Sequence, residues 1–167
     1  MKDCEVSLKR QHGFGDYLYW NLVLLVPVVT AADAILKTSI WWLVAYMLVA
    51  ISLLILVYRC FCTHCPHYVN SSNGTRCMFL WGIPRYFTPR PGPMNLLEKT
   101  VSMTVPLALA VFPLPWLWQQ RDLLVIYVLS LGVALATMLR YECVRCTYSH
   151  CPVNRVPDEL RDQVAGE

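Results

Sequence analysis

Charge is scarce in this chain. Asp, Glu, Lys and Arg make up 15% of its 167 residues, where a soluble domain carries about 25%. That shortage argues against an ordinary water-exposed fold. Several chemical signatures are missing as well. There is no glycine-rich phosphate loop, no Ser-His-Asp pattern and no carboxylate-rich cage. Nucleotide-driven, acyl-transfer and hard-metal chemistries therefore have no foothold. The formal net charge is only +3. Membrane topology accounts for it, so nucleic acid is not an expected partner.

What is present is apolar. Hydrophobic residues reach 56%, with a mean hydropathy of +0.43. They fall in four blocks, at residues 17–36, 40–58, 101–118 and 123–139. The first holds one acid, Asp33, near its end. The second holds neither charge nor proline. A helix needs roughly 17–25 apolar residues to cross the hydrocarbon core. Backbone groups have no partner in lipid, so such segments are expected to be helical. Pro106, Pro113 and Pro115 interrupt the third block, the last two near its end. Proline is tolerated in a span when neighbours satisfy the freed carbonyls.

The expected fold is an all-α, integral membrane four-helix bundle made of two transmembrane hairpins. Its parts are an N-terminus (1–16), a first hairpin (17–58), a Cys-rich loop (59–100), a second hairpin (101–139) and a Cys-rich tail (140–167). The first span does not read as a cleaved signal peptide. It is too long, Asp3 and Glu5 mix with Lys2, Lys9 and Arg10, and a second span follows at once. Asp33 lies four residues before Lys37, so a surface ion pair is expected. Residues 78–87 are aromatic and too short to span. They fit either the headgroup region or a loop packed over the bundle. Residues 88–94 form a stiff, turn-rich return to the third span.

Four spans put both termini and the long loop on one side. That side carries Lys2, Lys9, Arg10, Arg59, Arg76, Arg85, Arg90, Lys99, Arg140, Arg145, Arg155 and Arg161. The hairpin tips carry only Lys37 and Arg121. The positive-inside rule places the basic side in the cytoplasm. The expected location is a bacterial or archaeal cell membrane, with both termini inside. Against this, Asn70-Ser71-Ser72 and Asn73-Gly74-Thr75 match the glycosylation pattern. A luminal loop would make the cysteines disulfides.

All eight cysteines lie on the basic side. Reducing compartments favour metal ligands or redox thiols over structural disulfides. Two stretches repeat. Arg59-Cys60-Phe61-Cys62-Thr63-His64-Cys65-Pro66 follows the first hairpin, and Arg140-Tyr141-Glu142-Cys143-Val144-Arg145-Cys146 follows the second. Both read Arg-x-x-Cys-x-x-Cys, and His150-Cys151-Pro152 echoes His64-Cys65-Pro66. The halves therefore read as a parallel pseudo-repeat about an axis along the membrane normal.

A C-x-x-C turn points two sulfurs at one ion, and two such turns complete a tetrahedral shell. Cys62, Cys65, Cys143 and Cys146 are the first expected ligand set. An alternative partition uses Cys60, Cys62, Cys65 and Cys77 for one site. Its second site takes Cys143, Cys146 and Cys151, with His150 or an open position. His64 and His67 are further candidates, although His67 reads more readily as a loop residue. Cys4 stands apart, as a bystander or an acylation site. Thiolates select zinc, iron–sulfur clusters or copper(I). The Cys-Pro endings are similar to the last ligand of ferredoxin motifs, but the spacings do not match.

Four functions compete. The first is a membrane metal protein with zinc or an iron–sulfur cluster, the latter passing electrons to a membrane or cytoplasmic redox partner. The second is a zinc-stapled scaffold or assembly protein. The third is a thiol–disulfide oxidoreductase. A four-helix bundle with C-x-x-C motifs resembles quinone-coupled thiol enzymes, but their active cysteines face the oxidising side. The fourth is soft-metal transport, which lacks cysteines within the spans. The bilayer is a partner in every case.

Overall fold

Gly13 and Asp16 start the first helix. Gly13 is extended, and its N–H donates to Asp16 Oδ2 at 2.8 Å. This satisfies a donor that a helix start leaves free and sets a carboxylate at the positive end of the helix. The structure, a computed structural model, describes residues 8–9, 12–69, 74–148, 151 and 153–157. Among them α1 spans Phe14–Leu36 and α2 Ile40–Cys60, followed by a 3₁₀ turn at Cys62–His64 and a short α3 at Pro66–Val69. The second half holds α4 (Leu96–Val111), α5 (Leu114–Trp118) and α6 (Arg121–Thr137), closed by a π turn at Met138–Glu142. The fold is all-α, without strands among the described residues.

Four helical stretches are long and apolar enough to cross a membrane: Phe14–Leu36, Ile40–His64, Leu96–Trp118 and Arg121–Glu142. Each runs past its apolar block. The third begins at Leu96 because Glu98 accepts the Asn95 N–H at 3.0 Å, a cap that holds a charged first turn in helix. Pro113 separates α4 from α5. Without a regular helix beyond the break, the Ala110 carbonyl accepts the Tyr127 hydroxyl of α6 at 2.8 Å.

The helices form two hairpins whose closest packing runs between them. α1 lies against α6 and α2 against α4. The core sits toward the hairpin tips, where Ala31 and Ala34 of α1 meet Leu117 and Tyr127. Two alanines let α5 and α6 approach closely, as small residues do between membrane helices. Tyr46 stacks on Phe112, with centroids 5.4 Å apart, and Gln120 Nε2 donates to the Ala34 carbonyl at 3.3 Å. Asp33 pairs with Lys37 at 2.7 Å, the expected surface contact.

Most apolar side chains point outward. Only 6% of the most apolar window in α2 is buried inside the protein. Trp41 and Trp118, at the tips, are 78% and 76% exposed.

Candidate metal centre

The opposite end of the bundle gathers the chain's polar chemistry. α2 tightens into the 3₁₀ turn, where Thr63 Oγ1 donates to the Arg59 carbonyl at 2.7 Å and the Cys65 N–H to the Cys62 carbonyl at 3.1 Å. This turn places Cys62 and Cys65 just beyond the helix. Cys60 stays in the last turn of α2, buried.

Cys77 sits in a tight hairpin. Arg76 bridges Trp81, and the Cys77 N–H donates to the Leu80 carbonyl at 2.9 Å. Gly74 adopts φ +98°, and a Cβ there would lie 3.4 Å from the Gly82 backbone, so the closure favours glycine. Phe79 packs on Trp20, and Trp81 on Phe14 and Tyr17, at centroid distances of 6.3, 5.9 and 6.5 Å. This part of residues 78–87 therefore covers the start of α1. Tyr86 is exposed.

The third contribution follows α6. The π turn closes with the Cys143 N–H on the Met138 carbonyl at 3.0 Å. The segment before α1 then pairs with the tail: Lys9 bridges Cys146, and its N–H donates to the Arg145 carbonyl at 2.9 Å. The tail folds back through Asn154, whose Nδ2 donates to the carbonyls of Cys146 and Tyr148 at 3.2 and 2.7 Å. The Arg155 N–H reaches the Cys143 carbonyl at 3.0 Å.

Seven described cysteines thus share one end, and none is in a disulfide. Their ionisation is mutually opposed. Cys65 is disfavoured by charge on Cys77, Cys146 and Cys62. Cys146 is disfavoured by charge on Cys151, Cys143 and Cys77. Burial dominates, however, because it strips a thiolate of water. It pushes Cys65 well up, Cys146 up to about 11, and Cys77, Cys143 and Cys151 upward as well. Backbone N–H groups act in the opposite direction at several sulfurs. Among the described residues, no three His, Cys, Asp or Glu side chains converge closely enough to hold an ion.

The histidines are engaged elsewhere. His64 Nε2 lies 3.3 Å from Glu98 Oε2, and its Nδ1 lies 3.3 Å from the Gly92 carbonyl. His67 packs edge-on against His12 at 4.6 Å. His150 and Cys4 lie outside the described residues.

Two carboxylates beside the cysteines did not stand out in the sequence. Glu142 takes Lys9 Nζ and Trp20 Nε1, both at 3.3 Å, with His12 Nδ1 3.8 Å away. Glu98 takes Arg90 Nη1 at 3.2 Å. The available signal was position: each is a lone acid at the edge of an apolar block. No family model, curated protein or solved structure matches the chain.

Proposed function

We propose that the chain is a multi-pass membrane protein that binds a soft metal, as zinc or an iron–sulfur cluster, through thiolates at the basic end of its bundle. The observation that carries this reading is the gathering of unpaired thiols from both hairpins and the intervening loop. Burial from water pushes these thiols up. A buried thiolate is costly alone. A soft cation offsets that cost and is the partner thiolates select. The centre then ties the two hairpins together and staples the cytoplasmic loop to the tail.

Membrane insertion is supported by four apolar helices whose side chains face outward. A water-facing surface of this kind would aggregate. The charge asymmetry supports a cytoplasmic basic end in a bacterial or archaeal membrane. The pseudo-repeat gains support from the pairing of α1 with α6 and α2 with α4, which exchange of the halves maps onto each other. The chain before each half's first helix also bonds to the turn after the other half's second helix: Lys9 N–H to Arg145, and Arg90 N–H to Thr63 at 2.9 Å. In each half, a carboxylate at the third helical residue takes an upstream cation. Lys9 meets Asp16 at 3.0 Å, and Arg90 meets Glu98 at 3.2 Å.

Thiol–disulfide exchange ranks lower. A reactive cysteine needs a depressed pKa, and burial drives these thiols the other way. The test is metal and acid-labile sulfide content of protein purified without oxygen. Zinc without sulfide makes the centre structural. Iron with sulfide makes it an electron relay and implies a redox partner. Protein free of both metals overturns the reading.

A further inference from the structure

We infer that Arg59 and Arg140, the repeated arginines that precede each C-x-x-C, form a binding surface for the headgroups of anionic phospholipids. This rests on the membrane reading above and is independent of any metal. The two residues stand at matched places. Arg59 lies in the last turn of α2, and Arg140 in the π turn that closes α6. Each is the first charged residue after its apolar block, 40–58 or 123–139. At about 1.5 Å per residue these blocks are about 25–28 Å long, close to the thickness of the hydrocarbon core. Both arginines therefore fall at the level of the lipid phosphates, on the same face of the bilayer.

Both side chains are exposed, and among the described residues neither guanidinium has an acid partner. The described acids at this end are turned inward instead. Asp16 takes Lys9 at 3.0 Å, and Glu98 takes Arg90 at 3.2 Å with His64 at 3.3 Å. Glu142 takes Lys9 and Trp20, both at 3.3 Å. The side chains of Glu98 and Glu142 are only 10% and 14% exposed. These acids serve Lys9 and Arg90 and leave the repeated arginines without a counter-charge. At the tips, by contrast, Lys37 is paired with Asp33 at 2.7 Å. A helix C-terminus favours a cation, but lysine would serve that purpose as well as arginine. The planar fork of arginine matches two phosphate oxygens at once.

Neighbouring side chains suit the same depth. Tyr141, beside Arg140, is 56% exposed. Exposed Arg76 lies 6.0 Å over the Trp81 ring, which itself meets Phe14 and Tyr17 at the start of α1. Tyr and Trp prefer the headgroup region, and cations next to a span are drawn to a negative leaflet. A zwitterionic headgroup carries its own cation beside the phosphate. The preferred partner is therefore a lipid of net negative charge.

The test uses full-length protein in a neutral detergent. Phosphatidylglycerol or phosphatidylcholine is titrated in, and the rise in thermal midpoint gives an apparent affinity. The wild type should respond to phosphatidylglycerol and far less to phosphatidylcholine. Arg59→Gln and Arg140→Gln should each bind phosphatidylglycerol roughly fivefold more weakly, and the double variant should lose most of the response. Lys37→Gln, at the tips, should respond like the wild type. Equal responses to the two lipids overturn the inference. So does an undiminished response in the double variant, or the same shift from inorganic phosphate without lipid. Should the double glutamine variant fail to fold, Arg59→Lys with Arg140→Lys decides: a weaker response supports the arginine fork, and an unchanged one overturns it. Flotation with vesicles separates this inference from the membrane reading. Protein that floats with vesicles of both lipids and prefers neither overturns this inference alone, whereas protein that floats with neither overturns both.

Discussion

Glu142 is the residue on which the N-terminal segment hangs. Its carboxylate accepts from Lys9 and Trp20 across the joint between α1 and α6. Glu142→Gln removes the charge while keeping the shape. It should destabilise the protein by about 1–3 kcal/mol, the cost of leaving part-buried donors poorly matched. Thermal unfolding in detergent checks this, and an unchanged midpoint would count against the joint. His12 beside it is buried, and burial holds its imidazole below the ordinary 6.5, with Lys9 acting in the same direction against Glu142 and Asp16. The unfolded chain therefore binds this proton more readily than the folded one. The stabilising contribution is complete above about pH 6.5 and is lost as pH falls below that toward the folded value. His12→Gln should flatten the fall in thermal midpoint between pH 7 and pH 5. An undiminished slope would assign it to other groups.

At the scale of elements, the four long apolar helices were legible in the sequence because each follows an extended, almost uncharged run such as 40–58. The Asp33–Lys37 pair followed from helical spacing alone. What the sequence hid was tertiary. The hairpin around Cys77 depends on Gly74 meeting Gly82 and on aromatic rings resting on α1, and no periodic pattern encodes either. The expected quartet followed spacing. Spacing does not carry the position of Cys77, which a hairpin closed on the Leu80 carbonyl brings to the same end as the C-x-x-C turns. At the far end Ala34 is fully buried, in the cluster it forms with Leu117 of α5 and Tyr127 of α6. Ala34→Leu should cost about 1–3 kcal/mol by overpacking. The thiols sit at the opposite end, so the variant should lower the thermal midpoint and keep its metal. Loss of metal would show that the two ends are coupled.

The whole molecule divides into an aromatic tip end, where Asp33 and Asp122 balance Lys37 and Arg121, and a basic thiol end. Trp41 and Trp118 mark the first, in keeping with interfacial aromatic belts. The proposed orientation puts the second in the cytoplasm. A fluorescent protein fused to the C-terminus should therefore fold and fluoresce in bacteria, and a periplasm-dependent phosphatase fused there should stay inactive. The reverse pattern would place the cysteines in an oxidising compartment and favour disulfides. The central claim is that soft thiolates close around a metal and bind the two hairpins into one unit. X-ray absorption at the edge of the bound metal tests it most directly. The account predicts an all-sulfur first shell, with zinc–sulfur distances of about 2.3 Å if the metal is zinc. A shell of nitrogen and oxygen atoms, or protein carrying no metal, would contradict it.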